Sequence, residues 1–311
     1  MSRIVTITFS PCIDKSTSVD ALIPEKKLKC DQPKLEPGGG GINVARAIKK
    51  LGGEAIAVYP SGGYTGKHFN YLLEKEGISS LIVETKEETR ENFIVLDDSN
   101  KNQYRFGMPG TALSQEEWQM LLAKIDEIPE VAFIVASGSL PPGVPNDIFA
   151  RLAKIAKSKN AKLIVDTSGE PLKEALEEGL FLLKPNLGEL SFLAGKPNLL
   201  ESDVMEIATS LCQQGNCEII VVSMGPMGAW IISKTEAHLI TPPQVEKLST
   251  VGAGDSMVAG IVYYFSLGKS MLDAGKFGVA CGTAATMNEG TELCNLPDVL
   301  KLYNQLTVKS M

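Results

Sequence analysis

Short apolar runs that alternate with amphipathic stretches constrain the fold of this chain more than any other feature. The runs are rich in β-branched residues, end in polar or glycine-containing turns, and occupy 55–59, 132–136, 162–166 and 218–222. Helical patterns occupy 42–51, 114–128, 146–157 and 202–213. Runs of this kind are typical of parallel strands that are buried on both faces. The repetition predicts an α/β fold with a doubly wound, mostly parallel sheet flanked by helices, and a mostly helical chain after about Val251.

Two segments interrupt this alternation. Residues 12–36 are polar and lysine-rich, whereas residues 89–108 alternate between apolar and polar side chains. Within the second segment, 92–96 and 103–106 are joined by a turn, which predicts an antiparallel hairpin. We therefore expect a small β element inserted into one domain that spans residues 1–311. It is either a lid that covers a site or a surface hairpin, and the pattern leaves both alternatives open.

Charge and residue usage exclude several classes of function. Lys and Arg number 30 against 37 Asp and Glu, a net charge of −7, which argues against a nucleic-acid partner. The apolar runs fall well short of the roughly 20 residues that cross a membrane. Six scattered cysteines without CxxC spacing indicate reduced thiols, so we expect a cytoplasmic protein. The two histidines, His68 and His238, lie in unrelated contexts, which disfavours a Ser-His-Asp triad or a histidine zinc site.

The strongest local motif is Ser-Thr-Val-Gly-Ala-Gly-Asp-Ser at 249–256, followed at once by an apolar helix. Its glycines allow close approach of the backbone to a ligand. The helix N-terminus adds unpaired N–H groups, so the motif predicts a phosphate or oxyanion site. Asp255 lies where it could accept a proton from a hydroxyl nucleophile, although an acidic residue here could instead be an N-cap.

A second motif, Glu-Pro-Gly-Gly-Gly-Gly-Ile-Asn-Val-Ala-Arg at 36–46, opens a helix with four consecutive glycines. It does not match the spacing of a dinucleotide fingerprint. We expect a polar ligand to lie against this bare backbone, within hydrogen-bonding reach of Asn43. A flexible loop before a helix is the alternative.

Two further motifs follow predicted strands. Lys-Pro-Asn-Leu-Gly-Glu at 184–189 has the spacing of a helix capping box between Asn186 and Glu189. The same carboxylate and amide also suit a hydrated Mg²⁺ on nucleotide phosphates. The glycine-bearing turn at 222–228 lies at a strand end, where ligands of open α/β sheets bind.

Together these motifs resemble the ribokinase-like carbohydrate kinases, the phosphofructokinase-B family, over essentially the whole chain. Segments 36–47, 103–110, 137–143 and 278–294 are most similar to the subgroup of minor, type 2 6-phosphofructokinases. Kinases of this family that act on fructose 1-phosphate or tagatose 6-phosphate usually have a lysine where this chain has Gly40. The resemblance implies ATP-dependent phosphorylation of the C1 hydroxyl of fructose 6-phosphate, with Mg²⁺ and K⁺ as cofactors and a homodimer formed through the lid. Tagatose 6-phosphate or fructose 1-phosphate as substrate, and a non-catalytic sugar-phosphate or nucleotide sensor, are the alternatives.

The resemblance also implies residue roles. Asp255 is expected to be the general base, and the phosphoryl group is expected to be held by the amides of Gly252, Ala253 and Gly254. The sugar phosphate is assigned to Asp14, Lys27, Gly38, Gly39, Asn43, Arg90 and Ser139. The ATP site is assigned to Lys184, Asn186, Ser223, Gly225, Gly228 and Thr283. Glu189 is assigned to Mg²⁺, and a monovalent cation is assigned to Ser249, Val251, Ala285, Asn288, Gly290 and Glu292.

Overall fold

The structure is a computed structural model that describes residues 2–197 and 199–311. Its strands are β1 (Arg3–Ile7), β2 (Cys12–Val19), β3 (Lys34–Gly38), β4 (Ile56–Gly62), β5 (Ser79–Thr85), β6 (Arg90–Asp97), β7 (Asn102–Phe106), β8 (Val131–Ser137), β9 (Lys162–Asp166), β10 (Leu180–Leu183), β11 (Cys217–Ser223), β12 (Ala229–Ser233), β13 (Ala237–Thr241) and β14 (Thr307–Ser310). Its α-helices are α1 (Gly40–Lys50), α2 (Gly63–Lys75), α3 (Gln115–Glu127), α4 (Ile148–Ser158), α5 (Glu170–Glu177), α6 (Leu187–Ala194), α7 (Glu201–Gln214), α8 (Ala253–Ser266), α9 (Met271–Thr286) and α10 (Leu296–Tyr303).

A large mixed sheet forms the centre of the molecule. Its ten strands run in the order β14-β13-β12-β11-β10-β9-β8-β1-β4-β5. The strands from β11 to β5 pair in parallel, and β12, β13 and β14 pair antiparallel. The predicted mostly parallel α/β sheet is therefore confirmed.

The predicted helical character of the last third is confirmed for α8, α9 and α10, but the chain then returns to the sheet as β14. All four residues of β14 are exposed. An edge strand without a buried face has no apolar alternation, and the sequence pattern therefore did not reveal it.

Helices cover both faces of the sheet. Along β8, Ile134 packs in one apolar core and its neighbour Val135 packs in the other. Helices α3, α4 and α7 contribute to the first core, and α1, α8 and α9 contribute to the second. Burial on both faces is the physical reason that these strands are uniformly apolar.

The smaller sheet has the order β3-β2-β6-β7. Strands β6 and β7 form the predicted antiparallel hairpin, with Phe93 opposite Phe106 and Val95 opposite Tyr104. Because side chains alternate along a strand, these four residues share one face, here called the outer face. The opposite, inner face carries Asp14 and, across the strand pair, Asn92.

All six cysteines are free thiols, and only Cys30 is exposed. This agrees with the prediction of reduced, mostly buried thiols. Among residues 2–197 and 199–311, no helix is both long enough and apolar enough to cross a membrane.

Candidate active site

The predicted motifs meet at the carboxyl edge of the parallel strands. The ends of β8, β9, β10 and β11 lie there, together with the N-termini of α1 and α8. This edge is the usual ligand site of an open α/β sheet.

The start of α8 has the free amides that the predicted anion site requires. Gly252 precedes the helix in the left-handed region, with φ of 71°. The first amide to donate along the helix is that of Ser256, to the carbonyl of Gly252 at 2.8 Å. The amides of Ala253, Gly254 and Asp255 therefore have no acceptor within the helix. A side-chain carbon at Gly254 would lie 3.6 Å from Nζ of Lys184, so a lysine ammonium borders these free amides.

Asp255 is held by two other elements. Nδ2 of Asn43 donates to one carboxylate oxygen at 3.0 Å, and Oγ of Ser137 donates to the other at 3.3 Å. The N-cap of α8 is Gly252, without a side-chain cap. The alternative that Asp255 acts as the N-cap is therefore wrong, and its carboxylate instead faces α1 and β8.

The surroundings of Asp255 suit a proton acceptor. Burial, and secondly the negative charge of Asp166, raise the pKa of Asp255 to about 6, although Asn43 and Lys184 act in the opposite direction. A base with a pKa near the operating pH is ionised and still accepts a proton readily.

Lys184 and Asp166 form a buried ion pair, with Nζ 3.1 Å from Oδ1. Burial alone would lower the pKa of Lys184, but the charge of Asp166 outweighs it and holds this pKa above its ordinary value. The lysine therefore stays cationic beside the anion site. Sequence reasoning missed Asp166, and the only available signal was a carboxylate ending an apolar strand.

The predicted capping box is confirmed at the start of α6. Oδ1 of Asn186 accepts from the amide of Glu189 at 2.9 Å, and Oε2 of Glu189 accepts from the amide of Asn186 at 2.8 Å. Burial and the charge of Asp166 raise the pKa of Glu189.

No group of three or more His, Cys, Asp or Glu side chains with metal-ligand geometry occurs in the described part of the chain. Asp166 and Glu189 nevertheless lie close enough for the charge of one to raise the pKa of the other. Mg²⁺ commonly uses one or two carboxylates, water and nucleotide phosphates, so this donor pair fits a phosphate-bound Mg²⁺.

The four glycines allow close backbone contacts. A side-chain carbon at Gly40 would lie 2.3 Å from Oγ of Ser137 and 2.6 Å from its carbonyl carbon. Gly39 has φ of 111°. No side chain fits at Gly40 without moving the serine that donates to Asp255, so a lysine there would require a different local backbone.

A cavity of about 300 Å³ lies beneath the inner face of the small sheet. Its walls include Asp14, Gly39, Asn92, Arg90, Arg105 and Val251. The guanidinium of Arg90 donates to the carbonyls of Met108 at 2.7 Å and Ser10 at 3.2 Å, and its buried Nε has no partner. A cation with an unsatisfied donor suits an anionic ligand group. The small sheet therefore lines the cavity as the predicted lid would.

Two of the residues predicted to bind the sugar phosphate lie outside the wall of this cavity. Ser139 is exposed just beyond β8, and Lys27 is exposed between β2 and β3. Neither residue lines the cavity. Their roles remain predictions.

Five of the six predicted ATP residues lie at or just beyond the ends of β10 and β11: Lys184, Asn186, Ser223, Gly225 and Gly228. Ser223 pairs with Asn186 in a parallel bridge, and Gly225 and Gly228 form the following turn. A side-chain carbon at Gly228 would lie 2.0 Å from the carbonyl oxygen of Ile240. Thr283 lies on α9 and donates to the carbonyl of Val279 at 2.8 Å.

The two predicted cation segments come together. Oγ of Ser249 donates to the carbonyl of Gly290 at 2.7 Å. Nδ2 of Asn288 donates to the carbonyl of Leu293 at 2.9 Å. The carboxylate of Glu292 pairs with Lys34 and Lys50, which directs it to surface lysines. Val251 lies just before the start of α8, and Ala285 lies in the last turn of α9. The two segments therefore meet through Ser249 and Gly290, and their role in binding a monovalent cation stays a prediction.

Free amides at the start of α8, a buried lysine and a carboxylate held by Asn43 and Ser137 are the groups expected of a phosphotransferase that acts on an alcohol group. The chain matches the pfkB family of carbohydrate kinases over residues 6–298, and it belongs to that family.

Characterised relatives agree with this assignment. The ATP-dependent 6-phosphofructokinase isozyme 2 of Escherichia coli strain K12 is 43% identical over 308 residues, 99% of this chain and 100% of that protein. The protein of the same name from Mycobacterium tuberculosis strain CDC 1551 is 39% identical over 302 residues, 97% of this chain and 89% of that protein. The 1-phosphofructokinase of Borreliella burgdorferi is 32% identical over 309 residues, 99% of each.

Solved structures show the same fold. The crystal structure of E. coli phosphofructokinase-2 in complex with potassium has a TM-score of 0.95 and 43% identity, and covers 98% of this chain and 99% of its own. Two further structures of that enzyme, one in complex with fructose-6-phosphate and one of its tetrameric inhibited form, each have a TM-score of 0.93. Both are 42% identical and cover 98% of this chain and 99% of their own.

Proposed function

We propose that this chain transfers the γ-phosphoryl group of ATP to the C1 hydroxyl of fructose 6-phosphate, which yields fructose 1,6-bisphosphate and ADP. One observation carries the proposal. The carboxylate of Asp255, oriented by Asn43 and Ser137, lies in the first turn of α8 beside its free amides, and Val251 and Gly39, which precede α8 and α1, line the cavity.

In the proposed reaction, Asp255 accepts the proton of the C1 hydroxyl as that oxygen attacks the γ-phosphorus. The bond between the γ-phosphorus and the bridging oxygen of ADP breaks. The amides of Gly252, Ala253 and Gly254 stabilise the charge on the transferred group, and Lys184 adds positive potential. Little covalent chemistry is required of the protein, so alignment and electrostatics supply most of the rate.

The remaining site roles follow the same proposal. Arg90, with Lys27 and Ser139, binds the 6-phosphate, and Asp14, Gly38, Gly39 and Asn43 bind the sugar. The nucleotide lies against Asn186, Ser223, Gly225, Gly228 and Thr283. Asp166 and Glu189 hold Mg²⁺, which neutralises phosphate charge when bound. Carbonyls near Ser249, Val251, Ala285, Asn288, Gly290 and Glu292 hold K⁺.

The small sheet is proposed to be a lid within a single domain spanning the chain. Its inner face lines the cavity, so closure would exclude water from the phosphoryl group. Its outer face leaves Phe93, Tyr104 and Phe106 exposed, and β7 is an edge strand. An apolar face beside an unpaired edge favours a second copy of the chain, which gives a homodimer through the lid. A cytoplasmic location belongs to the same proposal.

The substrate is tested by a panel of kcat/KM values for fructose 6-phosphate, tagatose 6-phosphate and fructose 1-phosphate. Fructose 6-phosphate should give the highest value. The closed position at Gly40 and the higher identity to the 6-phosphofructokinases both support this choice. A value for fructose 6-phosphate far below that of another sugar would contradict it.

A sensor without catalysis is the alternative from another class. An intact base and intact free amides argue against it. ADP release with each sugar phosphate distinguishes the two, because a sensor in folded form would release none.

A further inference from the structure

The two carboxylate oxygens of Asp14 have different surroundings. Oδ1 accepts from Nδ2 of Asn92 at 2.9 Å and from the Cys12 thiol at 3.4 Å. Oδ2 receives no hydrogen bond from any residue that the structure describes. A side-chain carbon at position 38 would lie only 2.3 Å from Oδ2. Because residue 38 is glycine, no side chain from that position covers Oδ2, and Asp14 lines the cavity.

The orientation of the Asn92 amide follows from its other contact. Its Oδ1 accepts from the amide of Met108 at 3.0 Å. A backbone N–H can only donate, so the oxygen must face Met108 and Nδ2 must face Asp14. The carbonyl of Met108 also accepts from Arg90 at 2.7 Å. One chain of contacts therefore links the guanidinium, residue 108, Asn92 and Asp14.

Cys12 completes the arrangement. It is the first residue of β2, where it lies opposite Gly38 on one side and Arg90 on the other. Its sulfur accepts from Nδ2 of Asn92 at 3.1 Å. Burial, and secondly the charge of Asp14, raise the pKa of this thiol well above its ordinary value. The thiol therefore stays protonated and acts as a donor.

We propose that Asn92 and Cys12 are positioning residues for sugar recognition. Together they occupy Oδ1 of Asp14 and direct Oδ2 at a hydroxyl of the bound sugar phosphate. Through its contact with Met108, Asn92 also links Asp14 to Arg90. The inference rests on the proposed sugar site and names two residues that act there through Asp14.

The first test replaces Asn92 with leucine, which has a similar shape and no donor. A hydrogen bond to a charged group is lost, so the KM for fructose 6-phosphate should rise about tenfold. The KM for ATP and kcat should stay within about twofold, because the lost interaction binds the sugar equally in the ground state and the transition state. The matched control is Asn102→Ala, since Asn102 is an exposed asparagine of the same sheet. An unchanged sugar KM in Asn92→Leu would overturn the proposal.

A double-mutant cycle separates positioning from general support of the fold. In an Asp14→Asn background, Asn92→Leu should raise the KM, or the calorimetric Kd where turnover is too slow, by less than about twofold. A further tenfold rise would mean that Asn92 acts independently of Asp14, which contradicts the proposal.

Conservative replacement of Cys12 gives an independent measurement. Cys12→Ser keeps a donor and should keep the sugar KM, whereas Cys12→Ala should raise it about threefold. Equal effects of both variants would contradict the role of the thiol.

Wild-type turnover of fructose 6-phosphate is measured in parallel. If the wild type does not turn over fructose 6-phosphate, the proposed function is contradicted. If it does, and the Asn92 and Cys12 variants leave the sugar KM unchanged, only this inference is contradicted.

Discussion

At the scale of single residues, Asp255 combines two opposing demands. In the proposed reaction its ionised form accepts the proton, yet burial and the nearby Asp166 disfavour that form and raise its pKa to about 6. Asn43 and Ser137 partly offset this cost and also orient the carboxylate. If Asp255 is the base, as proposed, its geometry is obtained at the expense of stability, as is common at functional sites.

Asp255→Asn should lower kcat about a thousandfold while leaving the fold intact, because the amide can still bond to Asn43 and Ser137. The measurement is ADP release at saturating substrates. Near-wild-type kcat would contradict the assignment of the base.

The pH dependence of the wild type follows from the same group. Activity should fall as the pH drops through about 6, because the base becomes protonated. A raised carboxyl pKa means that the folded state binds the proton more tightly than the unfolded state. Asp255 therefore contributes less to stability as the pH rises from about 4 to 6. Thermal melts should show that Asp255→Asn is at least as stable as the wild type at pH 7.

At the scale of elements, the start of α6 has both a structural and a functional interpretation. The reciprocal hydrogen bonds of Asn186 and Glu189 form a capping box, which accounts for both residues without any metal. Burial and the charge of Asp166 raise the pKa of Glu189, which indicates that the two carboxyl groups lie near each other. The pair could therefore serve the predicted phosphates through Mg²⁺. Only a variant that preserves the cap separates the two interpretations.

Glu189→Gln is such a variant, since glutamine also completes a capping box. We expect kcat to fall at least about tenfold and the Mg²⁺ concentration for half-maximal activity to rise, with little change in Tm. The control is Glu117→Gln, which alters the same motif at the start of α3, away from the site. If both variants were equally active, Glu189 would be a cap alone.

At the scale of the whole molecule, an acidic protein is proposed to bind two anionic substrates. The whole chain has a net charge of −7, whereas free amides at α8, Lys184 and Arg90 place positive potential locally at the proposed site. Local dipoles and buried cations, and not net charge, therefore decide which small anions bind. The same scale governs the proposed assembly, because the small sheet exposes apolar side chains on its outer face.

Tyr104→Glu places a charge on that outer face and should convert a dimer into a monomer, as measured by light scattering. Tyr64→Glu is the control, since Tyr64 is even more exposed but lies on α2. A wild-type protein that is monomeric at working concentration, or a Tyr104→Glu variant that stays dimeric, would contradict assembly through this face.

The sequence by itself determined the local features of this protein. Buried strands need apolar residues on both faces, and helix starts need glycine or a capping residue such as Asn186 in set positions, so both leave a short-range pattern. Tertiary structure alone decided which of these groups meet. Asn43 and Asp255 are 212 positions apart, and the partnership of Asp166 with Lys184 depends on the neighbouring placement of β9 and β10. The contact of Asn92 with Asp14 likewise depends on the register of β2 with β6 in the small sheet. Such contacts have no local signature, because side-chain pairing across elements is set by packing and register and not by neighbouring residues in the chain.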